Sequence, residues 1–238
     1  VRRSSSPRRL VALTSGVALT TALLATPAHA ARPPYTFGNP GDVPIIGAFT
    51  SFLDAVGVYR PSNRTFYFQH TDETITLGRS GDVPITGDWN GDGFDEVGVY
   101  RPGNSTFYLR YASGTVYPIA YGTVGDVPII GDWNGNGTDD IGVYKRGNST
   151  FHRMGGYPPL AYGTVGDVPI TGKWHDQQRH YPGIYKTQNS SFHRWGTSNV
   201  ILYGNTGDRP IVGDWDNDGN DEIGVYRPKN RTFYFRDS

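Results

Sequence analysis

Apolar and polar positions along this chain alternate with a period of two in short bursts, each closed by glycine, proline, aspartate or asparagine. Bursts such as Val-Pro-Ile-Ile-Gly and Gly-Val-Tyr-Arg are too short for helices and rich in β-branched and aromatic residues, so they read as strands. They also recur. Gly-Asp-x-Pro begins at Gly41, Gly81, Gly125, Gly166 and Gly207, at spacings of 40, 44, 41 and 41 residues. After each comes a β-prone run and an aromatic: Phe49, Trp89, Trp133, Trp174 or Trp215. A second strand ends at Tyr59, Tyr100, Tyr144, Tyr185 or Tyr226, and a turn with Asn63, Asn104, Asn148, Asn189 or Asn230 follows. The third strand centres on Phe66, Phe107, Phe151, Phe192 or Phe233, and a fourth ends at Gly78, Gly122, Gly163 or Gly204. Each unit predicts a meander of four short strands.

Four strands in about 41 residues is the content of one propeller blade. The pattern therefore predicts an all-β chain, a five-bladed β-propeller of four-stranded antiparallel blades. Residues 35–38 (Tyr-Thr-Phe-Gly) read as a lone fourth strand, and the chain stops after a third strand, Thr-Phe-Tyr-Phe at 232–235. Pairing the two would close the ring and hide two sheet edges. Gly47, Gly87, Gly131, Gly172 and Gly213 fall in the innermost strands, where a missing side chain relieves crowding. The aromatic columns are expected between blades.

Composition narrows the chemistry. There are 32 glycines and 17 prolines for the turns and no cysteine, which excludes disulfides, thiolate metal sites and a cysteine nucleophile. Twenty-two basic against 22 acidic side chains give no basic face for nucleic acid. Residues 1–30 combine arginines at 2, 3, 8 and 9, an apolar stretch from about Leu10 to Leu24 and Ala28-His29-Ala30, the layout of a cleavable signal peptide. Removing those arginines turns an even balance into a net charge of −4. The expected product is a secreted chain, residues 31–238 as one propeller, without a membrane anchor.

The loop Asp88-Trp89-Asn90-Gly91-Asp92-Gly93-Phe94-Asp95-Glu96, with Val-Gly-Val-Tyr after it, resembles the FG-GAP or VCBS repeat of integrin-like propellers. The resemblance spans all five units and is strongest to the Gly-Asp-Trp-Asn-Gly-Asp-Gly repeats of secreted actinobacterial proteins. It implies calcium, held by the carboxamide and carboxylate oxygens of a short loop with a glycine at its sixth place. The implied ligands are Asp88, Asn90, Asp92, the Phe94 carbonyl and Glu96. In the fifth unit they are Asp214, Asp216, Asp218, the Asn220 carbonyl and Glu222, and in a weaker third site Asp132, Asn134, Asn136, the Thr138 carbonyl and Asp140. Asp95 and Asp221 stand beside the glutamates as alternative ligands. Units one and four lack the series. Plain turn-forming hairpins are the competing reading.

Other polar columns invite weaker chemistry. Asp42, Asp82, Asp126, Asp167 and Asp208 could form an anionic ring, but five equivalent carboxylates lack the split environments that acid–base work requires. They are expected to fix the turn before each first strand. His175, Asp176 and His180 could hold a metal or mark a decayed loop. His152 and His193 take the slots of Tyr67, Tyr108 and Tyr234 as exchangeable strand-face residues. Every turn asparagine opens Asn-x-Ser/Thr, which suits a hairpin better than glycosylation in a bacterial chain. Units differ most between the third and fourth strands, where Tyr157 and Trp195 are candidate ligand-stacking aromatics. The expected function is a monomeric, non-catalytic module binding an extracellular glycan or other surface ligand. The alternatives are a glycosidase-like propeller hydrolase, favoured by asymmetric acids at the axis, and a structural spacer.

Overall fold

The computed structural model describes residues 32–51, 53–175 and 178–236; the expected signal peptide lies outside the described residues. Twenty strands form five antiparallel four-stranded sheets, with no helix among the described residues. First strands are Val43–Gly47, Val83–Gly87, Val127–Gly131, Val168–Gly172 and Arg209–Gly213. They touch one another in cyclic order, the last meeting the first, so they line the axis of a closed ring. The chain is a five-bladed propeller.

Closure occurs where the sequence places it. Tyr35–Thr36 pairs with Thr232–Phe235 in the register Tyr35↔Phe233 and Thr36↔Thr232. The Phe37 N–H donates to the Arg231 carbonyl at 2.9 Å, and the two threonine hydroxyls meet at 3.0 Å. Blade one makes the same contacts within itself, Leu77 N–H to the Arg64 carbonyl and Thr65 to Thr76.

Five apolar clusters sit at the five seams, each mixing residues of neighbouring blades. One joins Val56 and Val58 of blade one to Trp215, Tyr226 and Phe233 of blade five. Within every blade the second-strand tyrosine meets the third-strand phenylalanine with ring centroids 4.6 or 4.7 Å apart, and all five phenylalanines are fully buried. Tilted pairs at this distance add to plain area burial. The inner-strand glycines answer to the next blade as much as to the axis. A Cβ on Gly213 would meet Asp54 Oδ2 at 2.6 Å, Ile46 Cγ2 at 2.8 Å and the Trp215 ring at 2.8 Å.

Because each blade is a meander, loops joining first to second and third to fourth strands emerge at one end, the loop face. The hairpins and blade-to-blade turns share the other end. There Asp42, Asp82, Asp126, Asp167 and Asp208 are buried, each accepting a backbone N–H three residues back at 2.7 or 2.8 Å. Each also pairs with a second-strand cation, Arg60, Arg101, Lys145, Lys186 or Arg227, at 2.8–3.2 Å. These aspartates fix the turns, as expected, and form no open anionic ring.

Candidate functional site on the loop face

Three features converge on the loop face. The first is the set of acidic loops. Their sixth residues, Gly93, Gly137 and Gly219, have φ of +87°, +83° and +88°, a conformation that excludes most side chains. In loop two the Asp88 carboxylate accepts N–H groups from Asn90 to Gly93, Asn90 Oδ1 accepts from Asp92, and Asp92 Oδ1 from Phe94. Glu96 is engaged with the Asn90 amide and the N–H groups of Trp89 and Ala112. Loop three repeats this, with Asp132 accepting from residues 134–137, Asn136 Oδ1 from Thr138, and Asp140 from the Asn134 amide.

Loop five differs. Asp214, Asp216 and Asp218 bring one carboxylate oxygen each within 4.8 Å of the others, the one such acidic or histidine trio among the described residues. The Asn220 N–H and amide both donate to Asp218. Glu222 stands apart from the trio: Oε2 accepts the Trp215 N–H at 2.9 Å, while Oε1 is buried without a partner. Burial first, and then the carboxylates of Asp216, Asp214 and Asp218, push its carboxyl up to about 8, against the pull of the Trp215 N–H.

The second feature surrounds the axis and was not singled out as a site in the sequence. Asp54, Asp95, Asp139, His180 and Asp221 each precede a second strand and reach back to the neighbouring blade. Asp95 accepts the Ala48 N–H, Asp139 that of Asp88, Asp221 that of Lys173 and Asp54 that of Asp214, at 2.8–3.1 Å. His180 Nδ1 accepts the Asp132 N–H at 3.0 Å, which leaves the ring proton on Nε2. The imidazole lies 3.7 Å from both Asp139 and Asp221. With Lys173 these groups line an axial cavity of about 560 Å³. Burial, reinforced by Asp221, raises the Asp54 carboxyl to about 7; burial and Asp139 raise Asp95. Asp95 and Asp221 therefore serve the axis rather than the acidic loops. The signal was a repeated column, which a search for loop ligands reads past.

The third feature is aromatic. In blade four Tyr181 replaces the acid of Glu96, Asp140 and Glu222, and its ring lies nearly parallel to Trp195, at 12° and 6.1 Å between centroids. His175 packs edge-on to Tyr181 and bonds the Trp195 carbonyl at 2.7 Å. Trp195 is 39% exposed. His175 and His180 thus part company, one exposed beside Tyr181 and one at the axis, and Asp176 lies outside the described residues. Tyr157 takes a packing place: its hydroxyl donates to the Trp133 carbonyl at 3.1 Å and its ring carries the Arg153 guanidinium at 4.8 Å.

No known family matches the chain, and no curated protein does. Among solved structures it is similar to BBS1N in complex with ARL6DN, in crystals soaked with mercury and with lead. The TM-scores are 0.47 and 0.41 at 9% identity, over 84% and 86% of this chain and 67% and 72% of those chains.

Proposed function

We propose that this chain is an exported, non-catalytic binding propeller of the FG-GAP/VCBS kind that holds an extracellular carbohydrate or similar surface ligand on its loop face. The stack of exposed Trp195 on half-buried Tyr181 carries the reading. It replaces an acidic loop in one blade of five, and an aromatic surface suits the C–H face of a sugar ring. The composition of residues 1–30 supports export.

Calcium belongs to the same proposal. Three convergent carboxylates in loop five are the hard oxygen donors this ion takes, so Asp214, Asp216 and Asp218 would hold it, and its charge would relieve their repulsion. Loop five shares the backbone bonds of the other two, with Asp214 and Asp216 accepting from Asp218 and Gly219; loops two and three have asparagine in place of Asp216, bonded to Glu96 or Asp140, and would bind more weakly. The test is retention on insoluble xylan, arabinan and peptidoglycan. Trp195→Ala should lower retention at least tenfold with melting unchanged; equal retention of variant and parent, or no retention of the parent, overturns the reading.

A propeller hydrolase is the second reading, favoured by the axial cavity, where Asp54 titrates near 7 beside acids of different surroundings. Turnover of the same polymers that Asp54→Asn abolishes would establish it.

A further inference from the structure

We propose that the seam between blades four and five contains a subsite for a single pyranose ring, which deepens the carbohydrate reading and rests on it. A cavity of about 270 Å³ lies there, lined among others by Trp174, Arg194, Ile201, Asn220, Glu222 and Ile223. Two of its polar groups are incomplete. Glu222 is 4% exposed and its Oε1 has no partner, and Arg194 Nε is likewise buried and unpaired. Leaving buried donors and acceptors unmade is costly, so a native seam has reason to complete them from outside.

Blade three shows what fits. Its arginine in the same strand position, Arg153, also has a buried unpaired Nε, but there Tyr157 lies against the guanidinium and bonds the carbonyl of Trp133, the counterpart of Trp174. Aligning Arg153-Met-Gly-Gly-Tyr157 with Arg194-Trp-Gly-Thr-Ser198 matches Ser198 to that tyrosine in sequence, although Gly156 has a φ of +83° and Thr197 has no positive φ. Blade four keeps the arginine and the tryptophan, with the guanidinium 5.7 Å from the Trp174 ring, and lacks the plug. The missing object is a six-membered ring bearing a hydroxyl.

A phenol offers one hydroxyl; a pyranose offers several, each able to donate and accept. Adjacent sugar hydroxyls can accept from Arg194 Nε–H and bond Glu222 Oε1 together, accepting from it while the carboxyl holds its proton and donating to it once ionised, while the ring's C–H groups meet Trp174 and the isoleucines. Lys173, Arg236 and Asp221 complete a wall of mixed sign, which suits a neutral sugar.

The probes are methyl gluco- and galactopyranosides at millimolar concentration, read on the Trp174 indole resonance, with p-cresol for comparison. A saturable shift with at least one glycoside is expected. It should weaken tenfold or more in Ser198→Tyr, which rebuilds a plug blade three already accommodates, and in Arg194→Met, which keeps the apolar stem. No glycoside shift in the parent, undiminished binding in Ser198→Tyr, or binding of p-cresol alone overturns the subsite. Polymer retention through Trp195 without a Trp174 response sinks the subsite only. Glycoside binding without polymer retention upholds the subsite and sinks the platform.

Discussion

The second-strand cation varies together with its third-strand neighbour. Blades one, two and five pair arginine with tyrosine, the guanidinium lying 4.2–4.5 Å from the ring of Tyr67, Tyr108 or Tyr234. Blades three and four pair Lys145 and Lys186 with His152 and His193, and the lysines also bond Thr123 and Thr164. A planar guanidinium stacks and grips its aspartate with two nitrogens, whereas an ammonium needs an extra acceptor. Arg227→Met should cost about 3 kcal/mol in urea denaturation, because Asp208 stays buried without its cation. Arg227→Lys with Tyr234→His should cost clearly less than Arg227→Met, and equal losses would mean the pairing is incidental. Titration gives a second prediction. The folded carboxyls of Asp54 and Glu222 lie near 7 and 8, above their usual values of about 4. Between these limits the folded chain holds more protons than the unfolded one, so their contribution to stability is full below pH ~4 and is lost as pH rises through 7–8. In chelator the melting temperature should fall from mildly acidic to mildly basic pH, and Glu222→Gln should flatten the slope. A melting temperature that rises over that range would contradict the assignment.

At the scale of strands and loops, closure depends on two residues of strand. Tyr35 and Phe37 pack against the Val56–Phe233 seam, and Arg32 bonds the Asp54 carbonyl with its guanidinium 4.6 Å from the Phe235 ring. Deleting residues up to Gly38 removes these groups and bares the edge of Thr232–Phe235. The loss should reach about 3 kcal/mol, from two partly buried aromatics at roughly 1.5 kcal/mol each. An unchanged denaturation midpoint would mean that the ring closes without them. This closure was legible because strand period and repeat frame are local properties, and a missing fourth strand at one end matches a surplus one at the other. The platform was half legible: Trp195 stood out, but the loop of His175, Asp176 and His180 read as a metal site or a decayed loop, and Tyr181 after it drew no reading. Tyr181 meets Trp195 through the register in which Tyr181–Lys186 pairs with Ser191–Arg194, a ladder that the Trp195 N–H extends to the Pro182 carbonyl, and the fold fixes that register. The axial ring stayed hidden for the same reason, since Asp95 next to Glu96 and Asp221 next to Glu222 look like loop ligands until the strand's alternation turns one inward.

For the whole ring, the seams make each blade depend on its neighbours, so a ligand on one loop is felt in the melting of all five. Loop five sits in the blade that closure completes, and Asp214 joins it to the axis through its N–H bond to Asp54. Calcium held by Asp214, Asp216 and Asp218 would therefore stabilise the blade with the discontinuous sheet. Binding to the native state alone adds about 2.7 kcal/mol at a hundredfold excess over the dissociation constant. In a two-state domain of this size, that shifts the midpoint by roughly 2–4 °C per kcal/mol. Calcium should raise the melting temperature by several degrees over chelator. Asp216→Ala should remove most of that difference, because Asp216 belongs to the trio while keeping clear of the axial bond. Asp92→Ala in loop two should remove little, since Asn90 and Glu96 there are engaged with each other. A larger effect from Asp92 than from Asp216 would move the ion to loop two, and identical curves with calcium and with chelator would leave all three loops as hydrogen-bonded hairpins.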